Sequence, residues 1–153
     1  MLRRLAVPPP SRLLFTMPPR HFTVPTANAT LPFVERVVRD IVADYGRWKD
    51  ALERYELAAA GATMATGEPA DAERLRLEVD DLAARIEGFV AELNHVGCVL
   101  KGFEEGLVDF PATLDGREVC LCWRLGEAEV AHWHEVNDGF AGRQSLASAT
   151  LER

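Results

Sequence analysis

The sequence predicts an α+β fold: a long antiparallel, coiled-coil-like helical hairpin followed by a small antiparallel β meander. Two observations predict the hairpin: apolar residues recur at alternating steps of four and three in two stretches, and the stretches mirror each other about a loop. The meander follows from the loss of this period after Gly97, where short runs of β-forming residues alternate with turn residues. We therefore expect one domain over residues 21–146, with the hairpin at about 31–96 and the meander at about 98–137.

Residues 1–20 are predicted to be a disordered N-terminal extension, and residues 147–153 a C-terminal tail. The first segment carries four arginines and no acidic residue, and its prolines interrupt both a signal-peptide core and an amphipathic helix. Met17 is an alternative start, because patterned sequence begins only after it. Thr23 is a good N-cap for a short turn, and Pro32 suits the first position of the long helix.

Each arm of the hairpin has a seam of seven apolar residues at heptad spacing. The first seam comprises Val34, Val38, Ile41, Tyr45, Trp48, Leu52 and Tyr55, and the second comprises Leu75, Val79, Leu82, Ile86, Phe89, Leu93 and Val96. Paired outward from the loop, their residue numbers add up to 130 or 131 in every pair, as an antiparallel hairpin requires. The loop contains the helix breakers Gly61, Gly67 and Pro69.

Apolar residues outside the seams need a second packing surface. Examples are Val37 and Ala51 on the first arm, and Leu77 and Val90 on the second. They must pack on the meander or on a second copy of the chain. We therefore expect a homo-oligomer, most simply a dimer in which two hairpins form a four-helix arrangement.

Asp115-Gly116 is the strongest local signal in the meander, because both central positions of a type I′ turn require positive φ. A two-residue hairpin there places Asp109 opposite Cys122. One face of the two strands is then apolar and suited to pack on the helices, whereas Asp109, Cys120 and Cys122 share the other face. The next turn, near Gly126, leaves two alternatives. One register brings His132 and His134 to the cysteine face, and a slip of one residue moves both to the apolar face.

Composition excludes some classes of function. The chain carries 17 Lys and Arg against 24 Asp and Glu, and an acidic protein is a poor partner for nucleic acid. No apolar run is long enough to span a bilayer. Three cysteines without an export signal favour reduced thiols and a cytoplasmic location.

The candidate ligand-binding residues are Asp109, Cys122, Glu127, His134 and Arg143, with His134 and Asp109 as the predicted metal ligands. Imidazole and carboxylate suit Zn²⁺, Fe²⁺ or Mn²⁺, and a thiolate from Cys122 would favour zinc. Catalytic residues stay unassigned, although Cys122 with His134 could act as a nucleophile and its base. Arg143 follows flexible glycines and could bind an anionic ligand or pair with Asp109 or Glu127.

The alternative to a site is a set of structural contacts. Asp109 would then pair with Arg117 or Arg124, and His134 would form hydrogen bonds within the sheet. Cys122 would be a small buried residue. Trp123 and Trp133 would be core aromatics.

The stretch Gly106–Gln144, "GLVDFPATLDGREVCLCWRLGEAEVAHWHEVNDGFAGRQ", closely resembles a bacterial family defined only as a domain of unknown function (number twenty-two-oh-three). "HFTVPTANATLPFVERVV" resembles the opening of the same family, so the likeness covers about residues 21–146. The family pattern includes Asp109, Cys122, Trp123, Glu127, Trp133, His134, Gly142 and Arg143. It leaves the positions of Cys120 and His132 open, and it implies no activity.

Two functions are consistent with these observations. The first is a small-molecule- or metal-binding protein with its site on the C-terminal β hairpin, whose ligand the sequence does not identify. The second is a homo-oligomeric interaction or scaffold module without catalytic activity. The binding protein requires the five candidate side chains to lie close together, whereas the scaffold module does not.

Overall fold

A computed structural model describes residues 21–64 and 70–148 and has the predicted α+β architecture. Two long helices, α1 (Val24–Met64) and α2 (Ala70–Val96), pack against each other. A five-stranded antiparallel sheet follows, with its strands adjacent in chain order: β1 (Val99–Gly102), β2 (Leu107–Leu114), β3 (Arg117–Arg124), β4 (His132–Glu135) and β5 (Gln144–Ser145). The predicted N-terminal extension, the middle of the hairpin loop and most of the predicted tail lie outside the described residues.

Helix α1 begins earlier than predicted, and the placement of Pro32 at its first position is wrong, because Pro32 lies inside the helix. Thr23 is an N-cap as predicted, but it caps the long helix itself and not a separate short turn: its hydroxyl accepts the Thr26 N–H at 3.2 Å, and the Thr26 hydroxyl accepts the Thr23 N–H at 2.8 Å. Proline inside a helix costs about 3 kcal/mol. Ala27 and Leu31 extend the apolar seam toward the N-terminus, and their burial, with the cap, offsets that cost. Pro32 itself faces solvent.

The two seams form the interface of the hairpin, since each of their residues is buried or half-buried. Helix α1 continues through Gly61, which was predicted to lie in the loop. Val37, Ala51 and Val90, which lie outside the seams, are buried within the single chain and need no second copy to cover them. Leu77 differs from them, because 52% of its surface is exposed.

Replacing Gly46 or Gly88 by alanine is expected to stabilise the protein by about 0.5–1 kcal/mol each. Both glycines lie inside helices, and an added methyl group at either position meets no atom within 4 Å. Gly106→Ala is the opposing control: Gly106 has φ of +70°, and its added methyl carbon would lie 2.8 Å from Val38 Cγ1. Urea unfolding measures all three variants. A loss of stability in G46A or G88A would show that these helix interiors are not open as described.

The β2–β3 hairpin has the predicted register and turn. Asp109 lies opposite Cys122 and Phe110 opposite Leu121, and the turn residues Asp115 and Gly116 have φ values of 51° and 75°. The inward face of the hairpin packs on α1 and α2 and completes the core. Its buried residues are Val108, Phe110, Ala112, Leu114, Val119, Leu121 and Trp123.

The sheet extends beyond the predicted meander, because β5 pairs with β4 through His132↔Ser145 and Trp133↔Gln144. A 3₁₀ turn, Phe140–Gly142, precedes β5 and lies against β4. This return of the chain brings Arg143 beside the outward face of the sheet. Among the described residues, neither helix is apolar enough over a sufficient length to cross a membrane.

Candidate metal centre

The β3–β4 pairing has the register that brings the histidines to the cysteine face. His132 lies opposite Cys122 and His134 opposite Cys120. The sequence predicted a turn near Gly126, but the connection between the strands is longer and runs through residues 125–131. Side chains outside this segment bind it at two points: Trp123 Nε1 donates to Glu127 O at 3.0 Å, and Val130 N donates to Asn28 Oδ1 of α1 at 2.8 Å.

Asp109, Cys122 and His134 come together on the outward face, and we call them the donor trio. Each belongs to a different strand, and the side chain of His134 crosses β3 to reach Asp109, with 2.9 Å between Nε2 and Oδ1. One potential ligand atom of each residue lies within 4.8 Å of the other two. All three residues are buried, with exposures of 4%, 1% and 2%. The trio therefore has the donor types of a metal site and could hold a metal ion.

The hydrogen bond made by Nδ1 of His134 determines the protonation of Nε2, the nitrogen that faces Asp109. Nδ1 lies 2.7 Å from the backbone carbonyl oxygen of Glu135. A carbonyl oxygen only accepts hydrogen bonds, so Nδ1 carries a proton and donates it. A hydrogen bond between Nε2 and Asp109 Oδ1 then needs one further proton between these two atoms when no metal is bound. If a cation replaces that proton, Nε2 presents its lone pair toward Asp109 and Cys122.

Cys122 is a weak nucleophile in this environment. Burial raises the pKa of its thiol to about 12, and the negative charge of Asp109 adds to the rise. At neutral pH the metal-free thiol is therefore protonated, which opposes the Cys122–His134 nucleophilic mechanism. A cation held by these residues would reverse this situation, because it would stabilise the thiolate directly.

Arg143 and Glu127 form a second pair beside the donor trio. Arg143 Nη2 lies 2.5 Å from Glu127 Oε2 and donates a second, longer hydrogen bond of 3.3 Å to Cys122 O. The guanidinium group also lies 5.1 Å from the centre of the Phe140 ring. The sequence suggested Asp109 or Glu127 as the ion-pair partner of Arg143, and Arg143 pairs with Glu127. The five predicted residues thus converge as a trio and an adjoining ion pair.

The structural contacts proposed as the alternative for Asp109 do not form. Arg117 pairs instead with Glu135, with 2.7 Å between Nη1 and Oε1. Arg124 is exposed and lies over the Phe140 ring at 5.7 Å. His134 forms hydrogen bonds within the sheet, as that alternative predicts, and one of them is to Asp109. This contact is compatible with the metal hypothesis and with a structural His–Asp pair. Trp123 and Trp133 are buried, as predicted.

Two residues outside the predicted set border the site. Cys120 shares the outward face, where burial, followed by the charge of Asp109, raises the pKa of its thiol to about 11. His132 Nδ1 lies 3.8 Å from Glu127 Oε2 and has no hydrogen-bond partner, although it is buried. The spacings Cys-x-Cys and His-x-His indicate that Cys120 and His132 share a face with Cys122 and His134, since alternate residues of a strand face the same side. The family pattern, which leaves both positions open, argued against them.

Glu127→Gln is expected to lower the stability at pH 6 and to lower it less at pH 3. Burial by itself would raise the pKa of Glu127, but the hydrogen bond and charge of Arg143 more than compensate, so the pKa lies below its ordinary value of 4.5. A depressed carboxyl pKa stabilises the fold above that ordinary value, and this contribution disappears as pH falls through the depressed pKa. Chemical unfolding at the two pH values measures the difference. Glu129→Gln, which alters an exposed glutamate two residues away, is the control. An equal loss in E127Q at both pH values would contradict the role of the Arg143 pair.

The family model described as "Uncharacterized conserved protein (DUF2203)" matches residues 20–146. The chain matches no curated protein and no solved structure. The matched region includes both helices, the donor trio and the Arg143–Glu127 pair. Because the match extends over most of the 153 residues, the chain belongs to this family.

Proposed function

We propose that this protein binds a divalent metal ion, with zinc preferred, through Asp109, Cys122 and His134. The observation that carries the proposal is the convergence of three potential ligand atoms within 4.8 Å on three buried residues. Zinc bonds of about 2.0–2.3 Å place tetrahedral ligands roughly 3–4 Å apart, so small side-chain movements complete the geometry.

The orientation of His134 supports the proposal. Histidines that bind metals commonly donate their other N–H to a carbonyl or carboxylate, which holds the ring in place. His134 donates Nδ1–H to Glu135 O at 2.7 Å and directs Nε2 toward the other two donors. The ring is therefore oriented for coordination before any ion arrives.

The charge of the site is also compatible with a divalent ion. The metal-free trio has two displaceable protons: one on the Cys122 thiol and one in the His134–Asp109 contact. Exchange of these two protons for one divalent ion leaves the net charge of the buried trio unchanged. A buried site without additional counter-ions favours such an exchange.

The donor types favour zinc over the other ions that the sequence left open. One thiolate, one imidazole and one carboxylate form a mixed soft and intermediate set, which zinc accepts in tetrahedral geometry. Mn²⁺ prefers oxygen ligands, and the common Fe²⁺ site with two histidines would need a second imidazole in the trio. When bound, zinc would supply Lewis acidity and stabilise the Cys122 thiolate.

Elemental analysis of protein purified without an affinity tag tests the proposal, and we expect about one zinc per chain. Added Zn²⁺ at a thousand times its dissociation constant should stabilise metal-free protein by about 4 kcal/mol. For a domain of this size, that corresponds to a rise in Tm of roughly 10 °C. Asp109→Asn should abolish both effects, whereas His95→Gln, at an exposed position on α2, should preserve them. No bound metal in the purified protein and no rise in Tm with added Zn²⁺ would together refute the metal site.

We also propose a reducing, cytoplasmic location and a homodimeric state. The three cysteines are free, and a zinc ligand at Cys122 must stay reduced. For the dimer, the supporting observation is the exposure of Leu57 and Leu77 on the hairpin, at 68% and 52%. Analytical ultracentrifugation of the wild type and Leu77→Glu tests this arrangement. A monomeric wild type at micromolar concentration would exclude a stable dimer.

A further inference from the structure

Two buried nitrogen atoms beside the donor trio have no hydrogen-bond partner. They are Nε of Arg143 and Nδ1 of His132. A buried polar atom without a partner costs about 1–3 kcal/mol, and such atoms in a folded protein call for an explanation. Their other surroundings are well defined. Arg143 Nη2 binds Glu127 and the backbone of Cys122, and β4 holds His132 opposite Cys122.

The two nitrogens belong to side chains that face the same carboxylate oxygen. Glu127 Oε2 lies 2.5 Å from Arg143 Nη2 and 3.8 Å from His132 Nδ1. Only 12% of the Arg143 side chain is exposed. Its unpartnered Nε–H therefore lies at the edge of a buried site and not in open solvent. These two side chains border the trio from the β4–β5 side.

We propose that Arg143 and His132 bind a small monoanionic carboxylate whose second oxygen occupies the remaining coordination position of the metal. This inference rests on the proposed function, because the trio supplies three protein ligands and tetrahedral zinc accepts a fourth. One oxygen of the carboxylate would accept hydrogen bonds from Arg143 Nε and His132 Nδ1, and the other oxygen would bind the metal. The protein therefore takes a carboxylic acid as its ligand or substrate.

Glu127 sets the charge of the preferred ligand. Its carboxylate neutralises Arg143 and lies next to His132. A phosphate dianion at this position would meet that carboxylate with only one arginine to compensate. A monoanion meets less repulsion, and the metal supplies the remaining attraction.

Acetate titration of the Co²⁺-loaded protein tests the proposal, because a fourth ligand alters the visible absorption of cobalt. We expect saturable changes with millimolar acetate and weaker changes with phosphate. Arg143→Gln should weaken acetate binding at least tenfold, since a charge-assisted hydrogen-bond pair is lost. It should change Co²⁺ affinity less than threefold, because Arg143 is not a metal ligand. Arg124→Gln is the matched control: Arg124 stacks on the same Phe140 ring, is exposed, and should have no effect.

Two further variants keep the test decisive. His132→Gln should also weaken acetate binding without loss of cobalt, which covers the case in which R143Q does not fold. Cys120→Ser should retain both cobalt and acetate binding, because the fourth position belongs to the carboxylate. Absence of a spectral response to acetate in the cobalt-loaded wild type would overturn this inference alone. Failure of Co²⁺ and Zn²⁺ to bind at all would overturn the proposed metal site instead.

Discussion

Replacement of Cys122 by serine is expected to weaken zinc binding by more than 100-fold. Structural zinc sites bind with about 10–16 kcal/mol in total, so one of four ligands accounts for about 3 kcal/mol or more. Serine has nearly the shape of cysteine, but its hydroxyl is not deprotonated by zinc as a thiol is. Cys122 is only 1% exposed, so the serine hydroxyl would take the place of the sulfur inside the buried site. Competition with a chromophoric chelator measures the affinity.

Cys98→Ser is the control for Cys122→Ser. Cys98 is equally buried, but its thiol donates to Leu93 O at the end of α2, away from the trio. C98S should therefore lower stability without changing zinc affinity. If C122S binds zinc within threefold of the wild type, the Cys122 thiol is not a ligand of the metal.

Replacement of Trp123 by alanine is expected to lower the free energy of unfolding by about 3–5 kcal/mol. Trp123 is 0% exposed and is the largest fully buried side chain described. Its ring fills the core beneath β3, and its Nε1–H donates to Glu127 O at 3.0 Å. This hydrogen bond holds the connection that carries Glu127 toward Arg143. Urea unfolding monitored by circular dichroism measures the loss.

Trp123→Phe separates the hydrogen bond from the packing. It keeps an aromatic ring but removes the hydrogen-bond donor, which leaves the Glu127 carbonyl oxygen without the Trp123 N–H. The variant should therefore still lose part of the free energy of unfolding. Trp48→Phe is the matched control on the hairpin, since Trp48 is buried but its Nε1 has no partner. We expect W123F to cost about 1 kcal/mol more than W48F. Equal losses would show that the Glu127 carbonyl does not depend on Trp123.

Trp123 links the core to the candidate site by a short path. Its side chain lies on the inward face, but its hydrogen bond reaches the segment whose Glu127 side chain binds Arg143 on the outward face. Neighbouring Cys122 faces outward and contributes to the trio. Adjacent residues of one strand thus serve the core and the site, because successive side chains of a strand point to opposite faces.

Much of the fold is predictable from the sequence because its signals are local. The heptad seams require two helices of opposite direction, and Asp115-Gly116 defines its own turn through two positive φ values. The β2–β3 register follows from that turn residue by residue. The start of α1 was mispredicted, since Pro32 appeared to mark a helix boundary. Burial of Ala27 and Leu31 against the rest of the core outweighs that local preference.

The sequence alone determined the chemical types of the site: a carboxylate at 109, a thiol at 122 and an imidazole at 134. Only the tertiary structure decided that the three converge. The turn after β3, closed by the hydrogen bond from Glu127 N to Arg124 O, does not join β3 directly to β4 and so does not specify their register. A slip of one residue would move His134 to the core face. The register is set instead by contacts from distant parts of the chain, such as the Asn28 side chain that binds Val130. Arg143 likewise reaches the site only because β5 pairs back onto β4, and such long-range pairing leaves no periodic signal in the sequence.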